Sequence, residues 1–171
     1  MRAPVTIRPA MPADIAGIDA MMSRAWSAQM QGAYPPSLLI LAIPFISRAQ
    51  PALLASGRYY VAEAEGRILG AGGWSLRGAG GADVRHLAVD AGAAGQGIGR
   101  ALMAESLSAA GEAGAVEMQA TATLNAVGFY ERLGFAVTGE TQVRLGPALA
   151  LPCRTMRRAL GVRVGPGGLP G

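Results

Sequence analysis

The 171-residue sequence has no lysine, one cysteine and one histidine, and only 15% of it is charged. Each scarcity removes a class of chemistry. A nucleotide-binding phosphate loop of the Walker type needs Lys followed by Ser or Thr, so that loop is excluded. Cys153 alone can form neither an intrachain disulfide nor a cysteine-based zinc site. His86 alone cannot build a histidine-rich centre, so no metal is expected, and a Ser-His-Asp arrangement would have to use His86. A long apolar run is missing too. The most apolar stretch, residues 37–46 (SLLILAIPFI), is about half a bilayer span and carries Pro44. The opening MRAPVTIRPAMP lacks the continuous apolar core of a signal peptide. The expectation is a cytoplasmic protein with no membrane partner.

What is present argues for a folded body. The hydrophobic fraction of 51%, with only 15% charged, argues against disorder in the body of the chain. The length suits one domain over residues 1–160, with a disordered Gly/Pro tail over 161–171 (GVRVGPGGLPG). All 15 basic residues are arginine, against 11 acidic residues, for a net charge of +4. With 25 glycines and many alanines, this reads as the composition of a GC-rich genome. The arginines are scattered apart from a group near the end, and no nucleic-acid partner is expected. A modest positive field suits an anionic ligand.

Residues 5–8 (VTIR) alternate apolar and polar and predict a short first strand. Pro12 and Asp14 open an amphipathic helix in which Ile15, Ile18, Met21 and Met22 fall at helical spacing. Residues 27–56 are apolar but broken by Pro35, Pro36, Pro44 and Pro51, which predicts one or two short helices with loops. From Tyr59 the pattern changes to period two. Strands over 59–64 and 67–74 are joined by a tight turn at Glu65-Gly66. A loop at 78–81, a strand over 83–89 and a glycine-rich connection over 90–97 follow, then a helix to about Gly114. In that helix Leu102, Met103, Leu107 and Ala110 share one face, opposite Glu105, Ser108 and Glu112. A short strand over 116–120 and a helix over 124–133, stopped by Gly134, come next. The order closes with a hairpin of 135–144 and 150–157 around Gly146-Pro147. There is no internal repeat. A meander, then alternation with helices, then a hairpin predicts an α/β (α+β) fold with a mixed sheet flanked by helices.

The informative motif is Gly95-Gln96-Gly97-Ile98-Gly99, directly between a strand and a helix. A G-x-G-x-G match is weak alone, and its position supplies the meaning. A turn without side chains lets backbone approach a ligand, and the new helix presents unpaired N–H groups with a partial positive charge. A pyrophosphate suits that place. A dinucleotide fold would put the glycine turn after the first strand of a βαβ unit. Here it comes late, after a meander. Coenzyme A is the remaining common pyrophosphate carrier.

Residues 87–102 (LAVDAGAAGQGIGRAL) resemble the acyl-CoA-binding segment of GCN5-related N-acetyltransferases, whose pattern is Q/R-x-x-G-x-G/A. Residues 124–135 (LNAVGFYERLGF) resemble that family's next segment, where an Asn and a Tyr flank the thiol end of CoA. The element order also resembles the acyl-CoA N-acyltransferase fold, with six to seven mostly antiparallel strands. The resemblance implies acetyl-CoA as co-substrate and no metal. It implies that backbone groups of Leu87, Ala88 and Val89 pair with the pantetheine arm. The loop and helix start, Gly95, Gln96, Gly97, Ile98, Gly99 and Arg100, would hold the pyrophosphate. Asn125 and Phe129 would flank the arm, and Tyr130 would stand beside the sulfur as general acid. One departure is visible: the Gln or Arg before the glycines falls on Ala94, so one polar contact is expected to be lost.

For the base, the resemblance places Asp83 where the family carries a Glu, and His86 has a suitable intrinsic pKa. In a regular strand these two face opposite sides, so both enter one site only if a bulge intervenes. Each also reads as an ordinary edge residue. Asn125 reads equally as a helix cap, Tyr130 as a core aromatic, and Cys153 as a small buried side chain. Trp26 and Trp74 read as core or pocket wall. The implied activity is acetyl transfer to a primary amine of a small molecule, bound between residues 27–56 and the final hairpin. The alternatives are a non-catalytic acyl-CoA sensor and a peptide or protein acetyltransferase. Exposed sheet edges are compatible with a homodimer.

Overall fold

The computed structural model describes residues 2–161. The expected tail therefore lies, beyond Gly161, outside the described residues. The chain runs β1 (Thr6–Pro9), α1 (Ile15–Gln29), α2 (Pro36–Ile46), α3 (Pro51–Ala55), β2 (Tyr59–Ala64), β3 (Arg67–Arg77) and β4 (Gly81–Val89). It continues with α4 (Ile98–Glu112), β5 (Glu117–Thr123), α5 (Val127–Arg132), β6 (Ala136–Gly146) and β7 (Leu149–Ala159). The strands form one seven-stranded mixed sheet in the order β1-β2-β3-β4-β5-β7-β6. Every pair is antiparallel except β4–β5.

Period two along the strands divides the core. On one face Tyr60, Ala62 and Trp74 pack with Met118 and with Leu102 and Met103 of α4. On the other face Tyr59, Val61, Ala71 and Ala88 pack with Ile18, Met21 and Met22 of α1. Each such large apolar side chain contributes about 1.5–3 kcal/mol on burial. Trp74 belongs to the first core at 3% exposure and donates its indole N–H to Tyr60.

Most boundary differences from expectation are small, and their causes are local. Pro36 and Pro51, read as interruptions, are instead the first residues of α2 and α3, where proline's missing N–H costs nothing. Pro44 does lie inside α2. The strand expected over 116–120 runs on to Thr123 because β7 pairs with it along its whole length, Glu117↔Ala159 to Thr123↔Cys153. The helix expected from Leu124 starts as a 3-10 turn, Leu124–Ala126, before α5.

Two irregularities in β4 shape the centre of the sheet. Pairing with β3 runs Ser75↔Asp83, Trp74↔Val84 and Gly73↔Arg85, then resumes at Ala71↔Ala88. His86 and Leu87 thus face the single residue Gly72, a β-bulge in which His86 adopts φ +46°. Gly72 permits it, since a Cβ there would sit 2.6 Å from Leu87 Cδ1. The second irregularity is a splay. β4 pairs with β5 only over Gly81↔Glu117 to Asp83↔Gln119, and the strands then part.

Candidate active site

A cavity of about 540 Å³ opens at the splay, between the end of β4 and the start of α4. Backbone geometry builds most of it. Gly95 (φ +78°) and Gly97 (φ +80°) take left-handed conformations that other residues rarely adopt. Gly97 caps α4, whose first amides have no intrahelical acceptor. Gly99 lets α4 approach α5, because a Cβ there would lie 3.1 Å from the Phe129 ring. Gly70 does the same toward the sheet, with a would-be Cβ 2.8 Å from Ile98. Arg100 and Arg132 line the cavity and supply cations. A helix start with free amides, two arginines and no carboxylate in the lining fits a diphosphate.

All of the predicted cofactor-binding residues line this cavity except Gln96, which is exposed between the two left-handed glycines. Ala94 lines it with an exposed methyl where a longer polar side chain was the expectation. Asn125 lines it as well and makes no capping hydrogen bond, so the capping alternative is not the one the fold uses. The Val89 carbonyl is already in use, accepting 2.7 Å from the side-chain amide of Gln29. Gln29 escaped the sequence reading because it belongs to no motif, and Arg132, although inside the segment 124–135, because the resembled pattern gives that position no role. Gln29 comes from the far end of α1, 60 residues from its partner.

Tyr130 stands at the inner end, and its placement follows from how α5 stops. Gly134 is left-handed (φ +84°); its N–H donates to Glu131 O at 3.0 Å, and that of Phe135 donates to Tyr130 O at 3.1 Å. This is the double-bonded glycine cap, and its usual accompanying contact joins Phe135 to Tyr130 at 5.4 Å between ring centroids. Phe129 packs edge-on from the other side at 5.2 Å. The ring is therefore fixed, 6% exposed, and its hydroxyl has no hydrogen-bond partner among the described residues. Burial pushes its pKa up, so it is a proton-bearing donor at every ordinary pH.

A second cavity, of about 420 Å³, lies between Trp26 and Ile46 on one side and Val143, Leu151 and Cys153 of the closing hairpin on the other. Leu87, Ala126 and Tyr130 line both cavities, so the two meet at the phenol. Tyr34 fastens this region: it donates to Pro152 O and accepts from Leu124 N–H at 2.9 Å, anchoring the turn that carries Asn125.

Asp83 and His86 both line the second cavity, as do the residues between them, and the bulge at His86 interrupts the regular alternation that would otherwise separate the two. Their states differ. The Asp83 carboxylate accepts 2.9 Å from Arg77 Nε in an ion pair. The pKa of His86 is lowered, first by burial and then by the Arg85 charge, so the imidazole is neutral near pH 7 and has a lone pair to offer. Cys153 is 1% exposed and its pKa is raised by burial, which keeps the thiol protonated. Among the described residues no group of three or more His, Cys, Asp or Glu is placed to hold a metal ion, and no helix is long and apolar enough to cross a membrane.

The family model described as "Acetyltransferase (GNAT) domain" matches residues 45–150. Among solved structures, a GCN5-related N-acetyltransferase from Rhodopseudomonas palustris is similar at TM-score 0.77 and 23% identity, over 94% of this chain and 98% of that one. The paia N-acetyltransferase from Thermoplasma acidophilum, in complex with coenzyme A, is similar at TM-score 0.68 and 16% identity, over 91% and 99%. So is yncA from Salmonella typhimurium with its cofactor acetyl-CoA, at TM-score 0.65 and 21% identity, over 98% and 100%. No curated protein matches in sequence.

Proposed function

Because the chain belongs to the GNAT acetyltransferase family, we propose that it moves an acetyl group from acetyl-CoA to a primary amine of a small cytoplasmic molecule by direct attack. The observation that carries this reading is the meeting of two cavities at Tyr130. One is lined by free helix amides and arginines. The other is lined by side chains of mixed polarity, including a neutral histidine. The donor enters from the α4 side and the acceptor from the hairpin side.

Acetyl-CoA supplies an acetyl group activated as a thioester. Gly95, Gly97 and the first amides of α4 hold its diphosphate, with Arg100 and Arg132 adding charge. The β4 backbone at Leu87 and Ala88 aligns the pantetheine arm. His86 is the base. Its lone pair accepts the proton that the amine nitrogen releases on bonding to the acetyl carbon. Asp83, tied to Arg77, is not free to do so. Tyr130 donates a hydrogen bond to the departing sulfur. Its pKa lies above the ordinary value of about 10 and a thiol's is about 8.5, so complete proton transfer from the phenol would cost upward of roughly 2 kcal/mol. Tyr130 therefore stabilises developing charge without surrendering its proton. The N–C bond formed balances the C–S bond broken; CoA leaves as a thiolate that takes its proton from solvent, and His86 returns the amine's proton to solvent, so the cycle closes with no net proton change.

The test follows free thiol as the protein is mixed with acetyl-CoA and a panel of small amines, alongside calorimetry with CoA. Heat of binding and thiol release with at least one amine are the expected results. Binding with no release across the panel would convert the reading to a non-catalytic acyl-CoA sensor. No heat at millimolar CoA would end both.

A further inference from the structure

The second cavity is unusual in its balance of charge. Among the described residues its only lining carboxylate, Asp83, is neutralised by Arg77. The neighbouring Glu117 is held by Arg157 at 3.2 Å and by Arg77 at 3.7 Å. Arg85, which lines the same cavity, has no carboxylate within ion-pair distance among the described residues. Instead two neutral oxygens orient it: Nη1 donates to Ser75 Oγ at 3.3 Å and Nη2 to Gln50 Oε1 at 3.0 Å. A guanidinium has five N–H donors, and subtracting these two leaves three. The side chain is half-buried, braced from β3 and from the loop before α3, and its charge is uncompensated.

We infer that the acceptor is an amine that also carries a carboxylate, and that Arg85 is the residue that selects it. The inference rests on the acetyltransferase reading above and adds the class of acceptor to it. Arg85 and His86 are adjacent on β4 and line one cavity, so a small molecule can place its amine at His86 and its carboxylate on the guanidinium. A planar fork of donors matches a carboxylate in two parallel bonds. A polyamine or a lysine-rich segment would instead set a second cation beside Arg85, with no free carboxylate in the lining to receive it.

The experiment compares matched acceptors: α- and ω-amino acids, their amides, and the corresponding amines lacking the carboxyl group. Each is assayed by thiol release with the wild-type protein, Arg85→Gln and Arg85→Lys. The expected result is a preference of at least roughly 10-fold in kcat/KM for the carboxylate over its amide, from one charge-assisted pair. That preference should vanish in Arg85→Gln and return in part in Arg85→Lys, mainly through KM. A merely structural role for Arg85 would lower activity toward acid and amide equally, so an unchanged ratio in Arg85→Gln overturns the inference. Turnover restricted to amines without a carboxylate also overturns it while leaving the acetyltransferase reading intact. Failure of the acetyltransferase reading has a different signature, the absence of thiol release from every amine.

Discussion

The two cavities that meet at Tyr130 are made of different materials. The α4 cavity is largely backbone: left-handed glycines, a helix start and the unpaired edge of β4, drawn mostly from one continuous segment and from the turn and helix at 124–132, with Gln29 reaching in from α1. The hairpin cavity is largely side chain, assembled from α1, α2, β4, β5, β6 and β7, which lie far apart in the chain. Backbone recognition demands particular conformations, and conformations demand glycine at fixed intervals. Side-chain recognition demands only that suitable groups arrive at one place. The first kind of site leaves a local signature, and the second does not.

The boundary between the two cavities is where the largest effects are expected. Tyr130→Phe removes the hydroxyl while keeping the ring that Phe129 and Phe135 hold edge-on. Loss of one donor to developing transition-state charge should lower kcat by roughly 10²–10³-fold. CoA affinity and thermal midpoint should stay near wild type. A loss below about threefold, measured by single-turnover thiol release, would remove the phenol from the chemistry and return it to the core.

His86 sharpens the comparison on the hairpin side. His86→Gln should reduce kcat by about 10²-fold near neutral pH, at the lower end of general-base effects because water can still take the amine proton. The pH profile distinguishes this from a packing defect. The folded pKa is lowered, so the neutral form already predominates at pH 6.5, and activity should fall as pH drops below that value. The same linkage acts on stability. Below the unfolded histidine's pKa of about 6.5 the unfolded chain binds the proton more readily, so stability is lost as pH falls. The acid limb in kcat should disappear in the variant, and the acid loss of stability should shrink to what carboxylates such as Asp14, whose pKa is lowered by its hydrogen bond to Arg8, contribute. An unchanged acid limb in kcat would assign it to another group.

The same contrast governs what could be read from sequence. The mixed sheet, the meander from Tyr59 and the terminating Gly134 were legible, because period two, glycine punctuation and helical spacing are local properties. Most residues that line the α4 cavity were named through the resemblance of two segments to a known family, whereas Gln29, Ala93, Ala126 and Arg132 were not. A splayed strand followed from the family resemblance, but the point where β4 and β5 part, just after Asp83, did not, since it depends on how far β5 pairs with β4 before β7 alone holds it. The bulge could be posed only as a condition. Its cause, room at Gly72 for Leu87, lies on the neighbouring strand. Gln29, Tyr34 and Arg85 were missed for a shared reason. Each acts through a partner in another element, Val89, Pro152 and Gln50 respectively, and none of these pairings has a spacing to recognise.

The smallest expected effect tests whether the backbone really dominates the α4 cavity. Ala94 stands where the resembled pattern has Gln or Arg, and its extended backbone (φ −61°, ψ +145°) accepts either without strain. If the α4 amides carry most of the diphosphate binding, Ala94→Arg adds only an exposed ion pair, worth about 0.2–1 kcal/mol. CoA should then bind up to about fivefold more tightly at low salt. The gain should shrink as ionic strength rises, because the Debye length falls from about 10 Å at 0.1 M to 3 Å at 1 M. Ala94→Gln, which is uncharged, should gain less and should not respond to salt. A tightening of 100-fold or more would mean that the loop glycines and helix start leave the diphosphate poorly held. The contrast between a backbone-built and a side-chain-built cavity would then fail at the position the sequence itself marks as exceptional.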